Sequence, residues 1–77
     1  MDETKARRYL AEADENIKKA EALISAQERR IRKLDADGHP TAEAEKTLES
    51  LKNSLRVVRD IRGQFARLSE QYLQFNS

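Results

Sequence analysis

Along the first half of the chain, Ala6, Leu10, Ala13, Ile17, Ala20, Ile24, Gln27, Ile31 and Leu34 recur at alternating steps of four and three residues. That spacing keeps one face of a helix apolar over several heptads and predicts a coiled-coil seam. With Leu10, Ile17, Ile24 and Ile31 at a positions, the d positions are Ala6, Ala13, Ala20, Gln27 and Leu34. One side of the seam is then large and the other mostly small, which lets a partner helix approach closely. In the second half, Ala44, Leu48, Leu51, Leu55 and Val58 keep the same rhythm, and the next seam position is Arg62. The apolar residues step back by one there, through Ile61, Phe65, Leu68, Tyr72 and Phe75. A three-residue step of this kind predicts a stammer that turns the stripe toward another surface.

Between the halves, Asp37-Gly38-His39-Pro40-Thr41 supplies the strong punctuation. Gly38 suits the left-handed conformation that closes a helix, and Pro40 pushes His39 toward extended backbone. Thr41 suits an N-cap, with Glu43 and Glu45 near the positive end of the following helix dipole. The spacing therefore predicts helices over about 3–36 and 42–74, joined by a turn at 37–41. So short a link forces the helices antiparallel, giving one all-α helical-hairpin domain over 1–77. Folding about the turn pairs residues whose numbers sum to 78 or 79: Leu34 with Ala44, Ile31 with Leu48, Gln27 with Leu51, Ile24 with Leu55, Ala20 with Val58, Ala13 with Phe65 and Ala6 with Tyr72. Small residues would then face aromatics, which fills an interior without voids. Gln27, the one polar residue in the first seam, reads either as a buried amide that fixes register or oligomer state or, the reading preferred, as a side chain bent out to solvent beside Leu51.

Composition adds to this picture chiefly by exclusion. The chain has 77 residues, 38% of them charged, with two Gly, one Pro and no Cys. Few helix breakers and much Ala, Glu, Lys, Leu and Arg favour long helices over a sheet. Without cysteine there is no disulfide framework and no thiolate ligand or nucleophile, so a small fold depends on packing or oligomerisation. A compact domain of this size hides only about 60% of its unfolded surface, and a two-helix rod does worse. The aromatics Tyr9, Phe65, Tyr72 and Phe75, with Leu10, Ile61, Leu68 and Leu73, all fall in the half that carries the chain termini. This half is expected to be a self-association surface, formed by Tyr9, Ile61, Phe65, Leu68, Tyr72 and Phe75, that dimerises hairpins into a four-helix bundle.

Candidate chemistry is sparse. Asp35, Asp37 and His39 superficially offer oxygen and nitrogen ligands, but Asp and His are common at a helix end for capping and turn reasons. No triad-like set, Gly-rich phosphate loop or core large enough for a concave pocket is present, so no metal, cofactor or enzymatic activity is expected. Asp14, Glu15, Glu21 and Glu28 read as solvated helix-face charges, Asp14 with Lys18 and Glu15 with Lys19 being spaced for pairs along the helix. Arg29, Arg30, Arg32 and Lys33 form the densest basic cluster, with Lys46 and Lys52 possible neighbours across the hairpin. A phosphate or other anion is the partner such a cluster would take, making a small nucleic-acid-binding or regulatory protein the alternative reading. The net charge of +1, the preference of a helix C-terminus for cations and the lack of interleaved aromatics all disfavour it. The opening MDETKARRYL has no apolar h-region, and no run approaches the length of a membrane span, so a cytoplasmic protein without membrane contact is expected.

The segment DGHPTAEAEKTLESL resembles the turn and second-helix start of short uncharacterised bacterial helical-hairpin proteins with a Gly-His-x-Thr turn. Gly38, His39, Thr41, Ala44 and Leu48 carry the match over about fifteen residues, and Phe65 to Phe75 lie outside it. The resemblance implies a fold and no activity. The function expected from all these features is that of a non-enzymatic, self-associating interaction or scaffold protein; a third reading is half of a hetero-complex, with the aromatic end covered by another protein.

Overall fold

Good helix formers fill both halves of the chain, and the structure contains two long helices, α1 over Glu3–Ala36 and α2 over Ala42–Asn76. The computed structural model describes the backbone of residues 3–76 and the side chains of all of these except 73, 75 and 76. No strand occurs among the described residues. Glu3 lies in the first turn of α1, Glu43 and Glu45 in that of α2, and Lys33 in the last turn of α1, each on the side of the dipole that favours its charge.

The reversal is a Schellman closure. Gly38 has φ 76°, the amide of His39 donates to the carbonyl of Leu34 at 2.8 Å, and the amide of Gly38 donates to that of Asp35 at 3.1 Å. These bonds satisfy carbonyls that the end of α1 would otherwise leave open. Thr41 immediately precedes α2, and its carbonyl accepts the first helical bond, from the amide of Glu45 at 2.9 Å.

The two helices pack along one seam and make a rod with Cα extents of 61 × 15 × 12 Å. A single seam seals very little: among the described residues only Ala6 and Leu55 are buried, each 7% exposed. Around them runs a half-buried series, Leu10, Ala13, Ile17, Ala20, Ile24, Gln27, Ile31 and Leu34 on α1, then Thr41 just before α2 and Ala44, Leu48, Leu51, Val58, Arg62, Phe65 and Ser69 on it.

This series corrects three expectations. First, the seam of α2 does not shift after Val58. The helix runs unbroken through this region, so the steps of four and three continue through Arg62, Phe65 and Ser69, while Ile61 and Leu68 stay outside at 49% and 64% exposure. Arg62 can occupy a seam position because its alkyl stem covers apolar surface while its guanidinium reaches out to Asp14. No stammer is needed.

Second, the pairing is displaced by about one turn. Phe65 meets Tyr9 rather than Ala13, and Arg62 meets Asp14, so the paired numbers sum to 74 and 76. A sum of about 75 also matches the two seam series residue for residue, from Ala6 with Ser69 to Leu34 with Thr41. The cause lies in the turn, where the closure at Gly38 puts the pivot between Asp37 and Gly38, so that His39, Pro40 and Thr41 already run back along α1.

Third, Gln27 does not turn to solvent. Its Nε2 donates to the carbonyl of Ala44 at 2.8 Å across the seam, and the residue is half-buried. A long amide at a d position can reach a backbone acceptor on the facing helix, which satisfies the side chain in place.

Candidate functional site

A seam of a and d positions leaves two flanking rows per helix, the e and g positions, one on each side of the hairpin. In antiparallel packing the e row of one helix lies beside the e row of the other, and likewise for g. Applied to the observed seam, the e side carries Arg7, Asp14, Glu21 and Glu28 from α1 and Glu45, Lys52, Arg59 and Ala66 from α2. The g side carries Tyr9, Asn16, Leu23 and Arg30 from α1 and Thr47, Ser54, Ile61 and Leu68 from α2. The hairpin is thus charged along one edge and nearly uncharged along the other.

The charged edge is closed by pairs between the helices. Arg62 Nε and Nη2 donate to Asp14 Oδ1 and Oδ2 at 2.9 and 3.3 Å, a two-pronged contact, and Arg59 Nη2 lies 3.2 Å from Glu21 Oε2. Asp14 therefore serves the packing of the two helices rather than a pair with Lys18 along its own helix. Both ends of the Arg62 contact are half-buried, with side-chain exposures of 37% and 49%. Sequence reasoning passed over this pair, although Arg62 falls on the unbroken 4-3 spacing and so belonged to the seam from the start.

The uncharged edge holds the exposed apolar surface. Tyr9, Leu23, Ile61 and Leu68 lie on the g rows, and Val57 and Tyr72 lie beside them on α2; their exposures run from 41% for Tyr9 to 64% for Leu68. On α2 alone, Val57, Ile61, Leu68 and Tyr72 fall within about 60° of arc at 100° per residue. Together they form one stripe beside the intrachain seam, with Gln64 near its middle. Tyr9 and Phe65 join the two surfaces, their ring centroids 4.2 Å apart and their planes at 39°. A shallow cleft opens next to them, lined by Tyr9, Glu12, Ala13, Asn16, Val58, Ile61 and Arg62.

The residues predicted from sequence for self-association are thus brought to one edge where they are described. Tyr9, Ile61 and Leu68 are exposed on it, Phe65 is half-buried at its inner margin, and Tyr72 is half-exposed at its end. The side chains of Leu73 and Phe75 lie outside the described residues. Leu10 is half-buried in the seam, where its a position in the sequence puts it. Leu23 and Val57 were missed; Leu23 lies two heptads after Tyr9, a spacing that marks the same row.

The basic cluster sits elsewhere. Arg29, Arg30, Arg32 and Lys33 are all exposed, and none forms an ion pair among the described residues. With the seam passing through Gln27, Ile31 and Leu34, Arg29 and Lys33 lie on the side of α1 away from α2. Lys46 pairs with Glu43 on its own helix at 3.8 Å. The charges near the turn therefore radiate over a wide arc rather than converging on one groove. His39 is exposed in the turn, and among the described residues no three His, Cys, Asp or Glu side chains are grouped to hold a metal ion. Among these residues, too, no helix is long and apolar enough to cross a membrane.

No protein-family model matches the chain, and neither a curated protein nor a solved structure matches it significantly.

Proposed function

We propose that this chain is a non-enzymatic helical interaction module of the cytoplasm that associates with a second copy of itself through its uncharged edge, two hairpins making a four-helix bundle. The observation that carries this reading is the asymmetry of the two edges: one is closed by Asp14–Arg62 and Glu21–Arg59, while among the described residues every large apolar side chain that stays exposed lies on or beside the other. Scattered surface leucines are ordinary, but a contiguous apolar stripe bordered by polar residues is the usual mark of an interface. The shortage of interior points the same way. With two buried residues among those described, the hairpin has little hydrophobic stabilisation of its own, and covering the second stripe would add to it.

Light scattering coupled to gel filtration over a wide concentration range tests the reading. Wild-type protein is expected to show a dimer that dissociates on dilution, and the double variant Ile61→Glu/Leu68→Glu is expected to be monomeric with reduced helicity. A well-folded wild-type monomer at every concentration refutes it. A salt-sensitive mobility shift of labelled DNA or RNA, lost when Arg29, Arg30, Arg32 and Lys33 are neutralised, would support the alternative in which the cluster near the turn binds phosphate.

A further inference from the structure

The stripe on α2 has an internal symmetry that bears on how two copies would meet, an inference that rests on the self-association reading above. Val57 and Ile61 lie on one side of Gln64, and Leu68 and Tyr72 on the other, so the stripe reads as two apolar residues, an amide, and two apolar residues from either end. From Val57 to Tyr72 it spans about 22 Å of helix at ~1.5 Å per residue. The outer flank of the same stripe carries Asp60 and Arg67, both exposed and neither in an ion pair among the described residues. They lie at nearly equal distances from Gln64, on opposite sides of it, and have opposite charge.

We infer that α2 meets α2 of a second copy antiparallel, about a two-fold axis passing near Gln64. This arrangement sets the Val57–Ile61 half of one stripe against the Leu68–Tyr72 half of the other, and brings the two Gln64 amides together near the axis. Asp60 of each copy falls beside Arg67 of the other, which makes the same favourable contact twice. A parallel, in-register pairing would instead put the two Asp60–Arg67 flanks on opposite sides of the interface, where they could not meet. Isologous pairing also closes the assembly at two chains. The cleft beside Ile61, lined by Tyr9, Ala13 and Val58 among others, lies where Leu68 of the second copy arrives, a hole for that knob. On α1, by contrast, Tyr9 and Leu23 are separated by Asn16, and the row ends at Arg30, so it offers no comparable stripe. The occupant favoured by this pattern is the chain itself, because a heterologous partner has no need of a stripe that reads alike from both ends.

The chain has no cysteine, so a single introduced thiol reports one position. Gln64→Cys is compared with Ser50→Cys, which lies two heptads earlier on the same row of α2, using a short bismaleimide cross-linker and checking helicity by circular dichroism. Gln64→Cys is expected to yield covalent dimer rapidly and Ser50→Cys little. Equal yields, or more from Ser50→Cys, overturn the axis while light scattering still registers a dimer; a wild-type monomer by light scattering overturns the self-association reading itself. In a second arm, Asp60→Arg and Arg67→Asp are each expected to weaken association about three- to thirtyfold, and an equimolar mixture of the two to recover it, since each chain then meets the opposite charge. A mixture no tighter than either variant alone overturns the pairing of Asp60 with Arg67, and with it this register.

Discussion

Leu55 and Leu68 are the same residue type on the same helix, and truncating each to alanine separates the seam from the edge. Leu55 is 7% exposed and Leu68 is 64% exposed. Leu→Ala removes three carbons, and at ~0.8 kcal/mol per buried CH₂ a fully buried leucine loses about 2.4 kcal/mol of transfer free energy. Scaling by burial gives about 2 kcal/mol for Leu55→Ala and about 0.9 kcal/mol or less for Leu68→Ala. The cavity penalty should be small at both positions, because a rod with one seam lets water reach the vacated space. For a domain of this size 1 kcal/mol moves the melting temperature by about 4–8 °C, so Leu55→Ala is expected to lower it by about 8–16 °C. The assay is circular dichroism at the helical minimum during heating, repeated over a hundredfold range of protein concentration. The loss from Leu55→Ala should persist at every concentration, since the seam lies within one chain. The loss from Leu68→Ala should be small in dilute solution and grow toward high concentration, where association adds to stability. A dilute sample in which Leu68→Ala is the more damaging change refutes the seam assignment, and with it the placement of Arg62 rather than Ile61 between the helices.

Other perturbations probe the turn, the helix interior and the charged edge. Gly38→Val should destabilise by about 1–2 kcal/mol, because a β-branched residue opposes positive φ although space for the side chain is open, and an unchanged melting temperature would refute the left-handed closure. Gly63 sits inside α2, where an added Cβ would meet only Arg67 Nη1 at 4.0 Å, so Gly63→Ala should raise stability by about 0.5–1 kcal/mol with greater helicity; a loss would show that this backbone approaches something closely. A double-mutant cycle on Asp14→Asn and Arg62→Gln should give a coupling of about 0.2–1 kcal/mol that weakens with added salt, as befits a half-exposed pair, and zero coupling at low salt would remove its role in register.

Features that depend on neighbours along the chain are legible in the residues alone. Helix-forming composition, the 4-3 spacing and the Asp37–Thr41 punctuation are local signals, and the all-helical hairpin follows from them. Gly38 is the clearest case, since a helix stop ahead of proline calls for a residue free to take positive φ, and the structure has it there. Features that depend on facing residues emerge only once the two helices pack. The register moved by one turn because the Schellman closure sets where the chain begins its return, a detail of bond geometry that residue types do not specify. Hydropathy alone pointed to Ile61 as the seam residue and Arg62 as an interruption, yet an arginine with Asp14 opposite it keeps the helical period, and Ile61 is left outside. Gln27 likewise looked misplaced until the carbonyl of Ala44 came within reach. The outcomes at Arg62 and Gln27 both turn on a long polar side chain whose stem can lie in an apolar groove and whose head finds a partner on the other helix, so the same residue counts as surface in the sequence and as seam in the fold.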